Sequence, residues 1–310
     1  MLKNEKILVT GATGTLGSMV GRALAKENEV WGLARYADPL TIERSQRDGI
    51  RPLAVDMALP DFASTPQDFT CLLHFAHTRL GADAFPEAVR VNAVGPGLLM
   101  QHCRKLKATL VVSSTAVYTP QADIWHPLAE GDPIGGAFAP WAPTSPASKL
   151  SLEATSKLAA EAFGIPTVIA RLNTTYGPGR GAKGGMPVMD METVLRGDPV
   201  RTFADPYPHS PIHFEDIVEQ IEALLSAASA PATLINWCGD EVVTQREWCE
   251  MVGSFAGVTP DLQVQPLAGA PCGNVGDNRQ RLALTGPCKR RFSSAYRELY
   301  DALITGAARV

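Results

Sequence analysis

Gly11, Gly14 and Gly17 are the residues most clearly spaced for chemistry, in Val9-Thr10-Gly11-Ala12-Thr13-Gly14-Thr15-Leu16-Gly17. Glycines at this Gly-x-x-Gly-x-x-Gly spacing let the backbone turn tightly and approach a pyrophosphate with no Cβ in the way. The run Lys6-Ile7-Leu8-Val9 reads as a buried strand ahead of them, and Ser18–Lys26 carries apolar residues at helical spacing behind them. Strand, glycine turn and helix in that order direct helix-terminal N–H groups and a partial positive charge at the phosphates of a dinucleotide. The competing reading is a plain strand-to-helix turn. The second strand, Glu29–Arg35, ends where such a fold meets the adenosine ribose. A carboxylate there suits the 2′-hydroxyl of NAD, and an arginine suits the 2′-phosphate of NADP. Arg35 holds the position and no carboxylate follows before Asp38, so NADP is expected, with NAD as the alternative. Asp56, near the end of a third strand Arg51–Met57, either hydrogen-bonds the adenine or closes a turn. His77, at the end of a fourth strand Cys71–His77, either faces the nicotinamide or packs as an ordinary histidine.

The elements that must position these groups alternate. A helix is predicted over 84–107, a fifth strand over 109–114, a Pro-, Gly- and Trp-rich loop over 119–146, an amphipathic helix over 147–163 stopped by Gly164, and a sixth strand over 166–172. That alternation predicts an α/β fold, a Rossmann-type doubly wound parallel sheet. After 172 the pattern loosens, with helices expected over 189–196, 214–228, 245–257 and 290–304 and a strand over 233–238 that joins the main sheet. The expected organisation is a dinucleotide-binding core over 1–172, with 212–238 returning to it, and a smaller C-terminal substrate-binding lobe from 173–211 and 239–310 over the cofactor cleft.

Composition narrows the classes. The 310 residues are 45% hydrophobic and 19% charged with net charge −4, an ordinary globular balance without a basic run, so no nucleic-acid partner is expected. No apolar stretch has the length to span a bilayer, and the chain enters its first strand without a signal segment, so no membrane partner is expected. Cys71, Cys103, Cys238, Cys249, Cys272 and Cys288 show no metal-ligand spacing and read as reduced thiols of a cytoplasmic protein. The Met186–Met191 run and the loop tryptophans Trp125 and Trp141 suggest either an apolar pocket or plain packing.

Several further motifs fall in a familiar order. They are His74-Phe75-Ala76, Asn92 in Val-Asn-x-x-Gly, Ser113-Ser114-Thr115-Ala116-Val117-Tyr118, Ser148-Lys149-Leu150-x-x-Glu153, Arg171-Leu172-Asn173-x-x-Tyr176-Gly177-Pro178-Gly179 and Pro211-Ile212-His213-Phe214-x-Asp216. With the glycine turn, they span residues 7 to about 250 and resemble the extended short-chain dehydrogenase/reductase family, the NAD-dependent epimerase/dehydratase type. The resemblance implies an oxidoreductase, epimerase or dehydratase that exchanges hydride with nicotinamide on a small hydroxyl or carbonyl compound. It implies cofactor contacts at Gly11, Thr13, Gly14, Thr15, Leu16, Gly17, Arg35, Asp56, Met57, Phe75, Ala76, His77, Asn92, Lys149, Leu172 and Thr174. It implies Ser114 as the serine that holds the substrate oxygen and Lys149 as the lysine that binds ribose and lowers a tyrosine pKa. Read without the resemblance, Lys149 is a solvated helix lysine. The resemblance also implies a homodimer through helices 84–107 and 147–163.

One position departs from the pattern. The tyrosine belongs four residues before Lys149, where Ser145 stands. A serine hydroxyl is shorter and far less acidic than a phenol, so it does not inherit the tyrosine's role unaided. Three explanations stay open. Tyr118, His77 or Tyr176 performs the proton transfer; the protein binds a dinucleotide as a sensor or scaffold without turnover; or Ser145 is an introduced, inactivating change. Family members that act on nucleotide sugars carry an arginine four residues before the histidine of the Ile-His motif; here that residue is His209, which speaks against a nucleotide-sugar substrate.

Overall fold

The structure is a computed structural model describing residues 2–136, 139, 142–179 and 181–306; Trp141 lies outside the described residues. The chain opens with β1 (Lys6–Thr10), α1 (Thr15–Leu24), β2 (Glu29–Ala34), α2 (Pro39–Arg47), β3 (Ile50–Ala54) and β4 (Cys71–His74). It continues with α3 (Phe85–Val89), α4 (Gly95–His102), β5 (Ala108–Ser114), α5 (Ser145–Phe163), β6 (Thr167–Leu172), β7 (Thr175–Tyr176), α6 (Met186–Arg196), β8 (Val200–Thr202), β9 (Pro208–His209), β10 (Ile212–His213) and α7 (Phe214–Ser226). It closes with β11 (Thr233–Trp237), β12 (Val243–Thr244), α8 (Gln245–Ala256), β13 (Leu262–Val264), α9 (Arg279–Thr285) and α10 (Phe292–Ile304).

Seven strands form one sheet in the order β11-β6-β5-β4-β1-β2-β3. β1 pairs in parallel with both β2 and β4, with Thr10 opposite His74, so the strand order reverses at the end of β1. Open α/β sheets bind ligands at that reversal, which puts the glycine turn there. The strands are near-continuous apolar runs because helices cover a doubly wound sheet on both faces; Ile7, Leu8, Val9, Leu72, Leu73 and Leu110 are fully buried or nearly so.

The chain divides into two compact units. The first comprises Met1–Ser114, Ala139–Arg171 and Val218–Ile235, and the second Thr115–Phe138, Leu172–Ile217 and Asn236–Val310. Residues 115–138, counted with the dinucleotide core on sequence, thus group with the second unit. Their bonds explain it: Leu128 N–H donates to Val275 O at 2.9 Å, and Asn236 Nδ2 donates to Leu128 O at 2.7 Å. The second unit has its own core around Trp248, Tyr296, Phe292 and Tyr176.

The helix expected over 84–107 is interrupted. Residues Arg90–Val94 are π-helical, and Gly95 N–H reaches back five residues to Arg90 O. Pro96 follows directly; its ring excludes the carbonyl four residues before it and it donates no bond, so the coil widens there. α4 then ends at His102, and residues 103–107 run as turn and coil into β5. α5 stops at Gly164, which is left-handed at φ 66°. None of the six cysteines forms a disulfide. Among the described residues no helix is long and apolar enough to cross a membrane.

Candidate active site

The glycine turn has the shape a pyrophosphate requires. Gly11 is left-handed at φ 69°, and a Cβ on it would lie 2.8 Å from the backbone N of Ala76. A Cβ on Gly17 would lie 2.3 Å from Gly11 O. Gly14 is the N-cap of α1, offers no side-chain acceptor, and the first turn holds no acidic residue. A helix end with uncapped amides and no competing carboxylate fits an anion, so Gly11, Thr13, Gly14, Thr15, Leu16 and Gly17 are the residues that would hold the diphosphate. Arg35 is exposed just past β2. Asp38 does not compete with it, because its carboxylate caps α2 by accepting from Leu40 N–H at 3.0 Å. Asp56 accepts from Ala58 N–H at 2.9 Å, which makes it a turn residue with one oxygen so engaged. Met57 is buried, its carbonyl close against Gly95.

At the carboxyl ends of β4 and β5 the structure assembles a polar cluster within the first unit. Lys149 is only 7% exposed, and its Nζ donates to Val112 O at 2.6 Å, two residues along β5 from Ser114. Burial, partly offset by Glu153 and reinforced by Arg79, pushes Lys149 down to about 7. Glu153, one helical turn on, accepts from Ser113 Oγ at 2.6 Å and from Arg171 Nε and Nη2 at 2.9 and 2.8 Å. This buried two-point ion pair ties α5 to β5 and β6. Ser114 ends β5, half-buried.

Ser145, the first residue of α5, meets His77: Ser145 Oγ and His77 Nε2 are 2.5 Å apart. His77 Nδ1 is buried with no partner among the described residues. Burial first, then Lys149, Arg79 and His74, push His77 down to about 2, so the imidazole is neutral. The segment around His77 is laced to α5 and the π-helical turn. Asn92 Oδ1 accepts from Thr78 N–H at 2.8 Å, while its Nδ2 donates to Thr78 O at 2.8 Å and Ser148 Oγ at 3.2 Å. Thr144 Oγ1 donates to Leu80 O at 3.0 Å. Phe75 and Ala76 follow β4 beside the end of β1, Ala76 N–H donating to Thr10 Oγ1 at 3.3 Å, and Thr10 Oγ1 also meets His74 Nδ1 at 2.8 Å.

Ser114, Ser145, Lys149, His77 and Asn92 thus all lie in the first unit, and Asn92 serves to position Thr78 and Ser148. The two tyrosines weighed as substitutes for the phenol are committed elsewhere, in the second unit. Tyr118 is 3% exposed and its hydroxyl donates to Asn236 Oδ1 at 2.7 Å. Tyr176 is 1% exposed, packed edge-on against His213, and burial raises its pKa well above the usual phenol range. Thr174 Oγ1 meets His209 Nδ1 at 2.7 Å, and His209 is 2% exposed and pushed down to about 3 by burial. Leu172 ends β6, half-buried. In the sequence Glu153 and Arg171 are only landmarks of the family pattern; the four-residue spacing of Lys149 and Glu153 on one helix face is the local sign of their shared burial.

The sequence profile described as the NAD dependent epimerase/dehydratase family matches residues 7–236. dTDP-4-dehydrorhamnose reductase of Mycobacterium tuberculosis is 26% identical over 275 residues, 86% of this chain and 81% of its own length. The dTDP-glucose 4,6-dehydratase of Neisseria meningitidis serogroup B is 24% identical over 219 residues, 65% of this chain and 61% of its own. Among solved structures, UDP-glucuronic acid 4-epimerase from Bacillus cereus in complex with UDP-glucuronic acid and NAD superposes with a TM-score of 0.80 at 23% identity, covering 96% of this chain and 99% of that one. UDP-N-acetylglucosamine 4-epimerase from Methanobrevibacter ruminantium, in complex with UDP-N-acetylmuramic acid, reaches a TM-score of 0.81 at 19% identity over 98% of this chain and 100% of the other. Both share the fold. The chain belongs to the NAD dependent epimerase/dehydratase family. The family is NAD-dependent, and the chain is an enzyme of its extended short-chain dehydrogenase/reductase type.

Proposed function

We propose that the protein exchanges hydride between NADP and a small hydroxyl or carbonyl compound, with Ser114 and Lys149 at the reacting end. The observation that carries this reading is the burial of Lys149, 7% exposed and hydrogen-bonded to a neutral carbonyl two residues from Ser114. Burying an ammonium without a carboxylate bound to it is costly, and a ligand-binding duty explains why it is borne. NADP is favoured over NAD because Arg35 is exposed at the end of β2 and Asp38, the nearest carboxylate, is spent on the Leu40 amide. Calorimetry tests this: NADP+ should bind more tightly than NAD+, and Arg35→Ala should remove about tenfold of that preference. Equal affinity for both coenzymes rejects the NADP reading.

The named relatives act on or bind dTDP- and UDP-sugars. For this chain we favour a substrate without a nucleotide diphosphate. His209 stands where the nucleotide-sugar enzymes have arginine, and it is buried, neutral and turned to Thr174. UDP and dTDP should then give no calorimetric signal at millimolar concentration. Ser145 is the one residue that favours a purely cofactor-binding role; turnover that Lys149→Ala abolishes would eliminate that role.

A homodimer is the expected assembly. Ala147, Ala154, Leu158 and Ala162 are exposed along one side of α5, Leu158 at 67%, and Leu98 is exposed on the neighbouring α4. Such a small-residue and leucine face suits close helix packing across a two-fold axis. The six cysteines without disulfides favour a reducing, cytoplasmic setting.

A further inference from the structure

We infer that Ser145 and His77 together replace the missing phenol as a two-part proton relay, with Ser145 Oγ touching the reacting oxygen and His77 Nε2 behind it. The inference rests on the functional reading above. Its basis is the 2.5 Å contact between the two atoms at the position where the family pattern has tyrosine. A phenol acts alone because it ionises within reach of neutrality; a serine does not, so it needs a base in line with it. His77 is that base.

Three features support the pairing. Ser145 opens α5, a helix of 19 residues, whose N-terminal partial charge favours developing negative charge on Oγ. The His77 ring is held in place because its segment is bonded to Asn92 and Thr144. His77 Nδ1 is buried and lacks a partner among the described residues, so a bound group can satisfy it.

In the oxidising direction the substrate O–H bond breaks as its proton passes to Ser145 Oγ, and the proton that Ser145 held passes to His77 Nε2. The C–H electron pair leaves as hydride, for which a bound nicotinamide is the acceptor. The products are a carbonyl group and a protonated His77; reduction runs the same transfers backwards. No free serine alkoxide is needed, because Oγ gains one proton as it loses another. Lys149, Arg79 and His74 face His77, and Glu153 and Arg79 face Lys149. An ammonium on Lys149 opposes an imidazolium on His77, so the relay takes up a proton more readily as pH rises through about 7, where Lys149 becomes neutral.

The activation of Ser145 is measurable without the natural substrate. Acetyl transfer from p-nitrophenyl acetate forms the Oγ–carbonyl bond, releases p-nitrophenolate and sends the serine proton to His77. Peptide mass spectrometry should find Ser145 acetylated about tenfold or more faster than Ser151, half-buried on the same helix, with the rate rising through pH 7. His77→Ala and the shape-conserving His77→Gln should each lower that rate about tenfold or more, and added imidazole should restore it in His77→Ala. Far-UV circular dichroism and urea melts on the same samples report that the variants are folded. A retained fold with acetylation that ignores His77, or Ser145 no faster than Ser151, overturns the relay alone. No coenzyme uptake by the unaltered protein overturns the functional reading on which it rests.

Discussion

Glu153 and Arg171 show how single side chains make this site expensive to alter. Both are almost wholly buried, 3% and 2% exposed at the side chain, and joined at two points. Glu153→Gln keeps the shape but removes the charge that neutralises Arg171. Breaking such a pair should cost about 3 kcal/mol or more, read as a lower denaturant midpoint with an unchanged slope. Lys149 leaves a different mark. Its pKa falls from 10.5 in the open chain to about 7 on folding, so between those values the unfolded chain binds more protons than the folded one. Stability should therefore rise with pH from about 7 to 10.5, its burial cost being fully present below 7. Urea melts of the protein and Lys149→Met across that window check this: the variant's slope against pH should be flatter, and identical slopes would contradict it.

At the scale of elements, the proposed chemistry falls at two helix beginnings. α1 begins at a glycine turn with no side-chain cap, and α5 begins at Ser145. The turn is built around close backbone approach, so Gly17→Ala pushes a methyl into Gly11 O, which lies 2.3 Å from the ideal Cβ. The expected result is loss of NADP+ binding with the far-UV spectrum retained; unaltered affinity would remove the turn from the cofactor site. The π-helical turn at Arg90–Val94 is the third element of consequence, since it carries Asn92 inward to bond Thr78 and Ser148. Pro96 makes that widening local and fixed.

For the whole molecule the open matter is assembly. If the exposed side of α5 meets its own copy, Leu158→Glu places two like charges in a packed contact. Light scattering should then shift from dimer to monomer mass, with coenzyme affinity kept. A monomer in the unaltered protein at micromolar concentration would reject the dimer. The family match runs over residues 7–236, and the fold likeness covers 96% and 98% of the chain.

The sequence alone determined the sheet-forming strands, the glycine turn, the long helix α5 and the absence of tyrosine at Ser145, because these follow from local spacing, periodicity and residue type. It also named His77, Tyr118 and Tyr176 as candidate substitutes without choosing among them. In the tertiary structure one of the three, His77, meets Ser145. His77 and Ser145 lie 68 residues apart and meet only because the segment after β4 is bonded to the start of α5. Tyr118 is taken by Asn236, 118 residues away. The short strands β7 to β10, the placement of 115–138 in the second unit and the burial of Glu153 and Arg171 were illegible for the same reason. Each depends on a partner distant in sequence, and a residue's own type and neighbours do not encode which distant group will desolvate it or accept its proton.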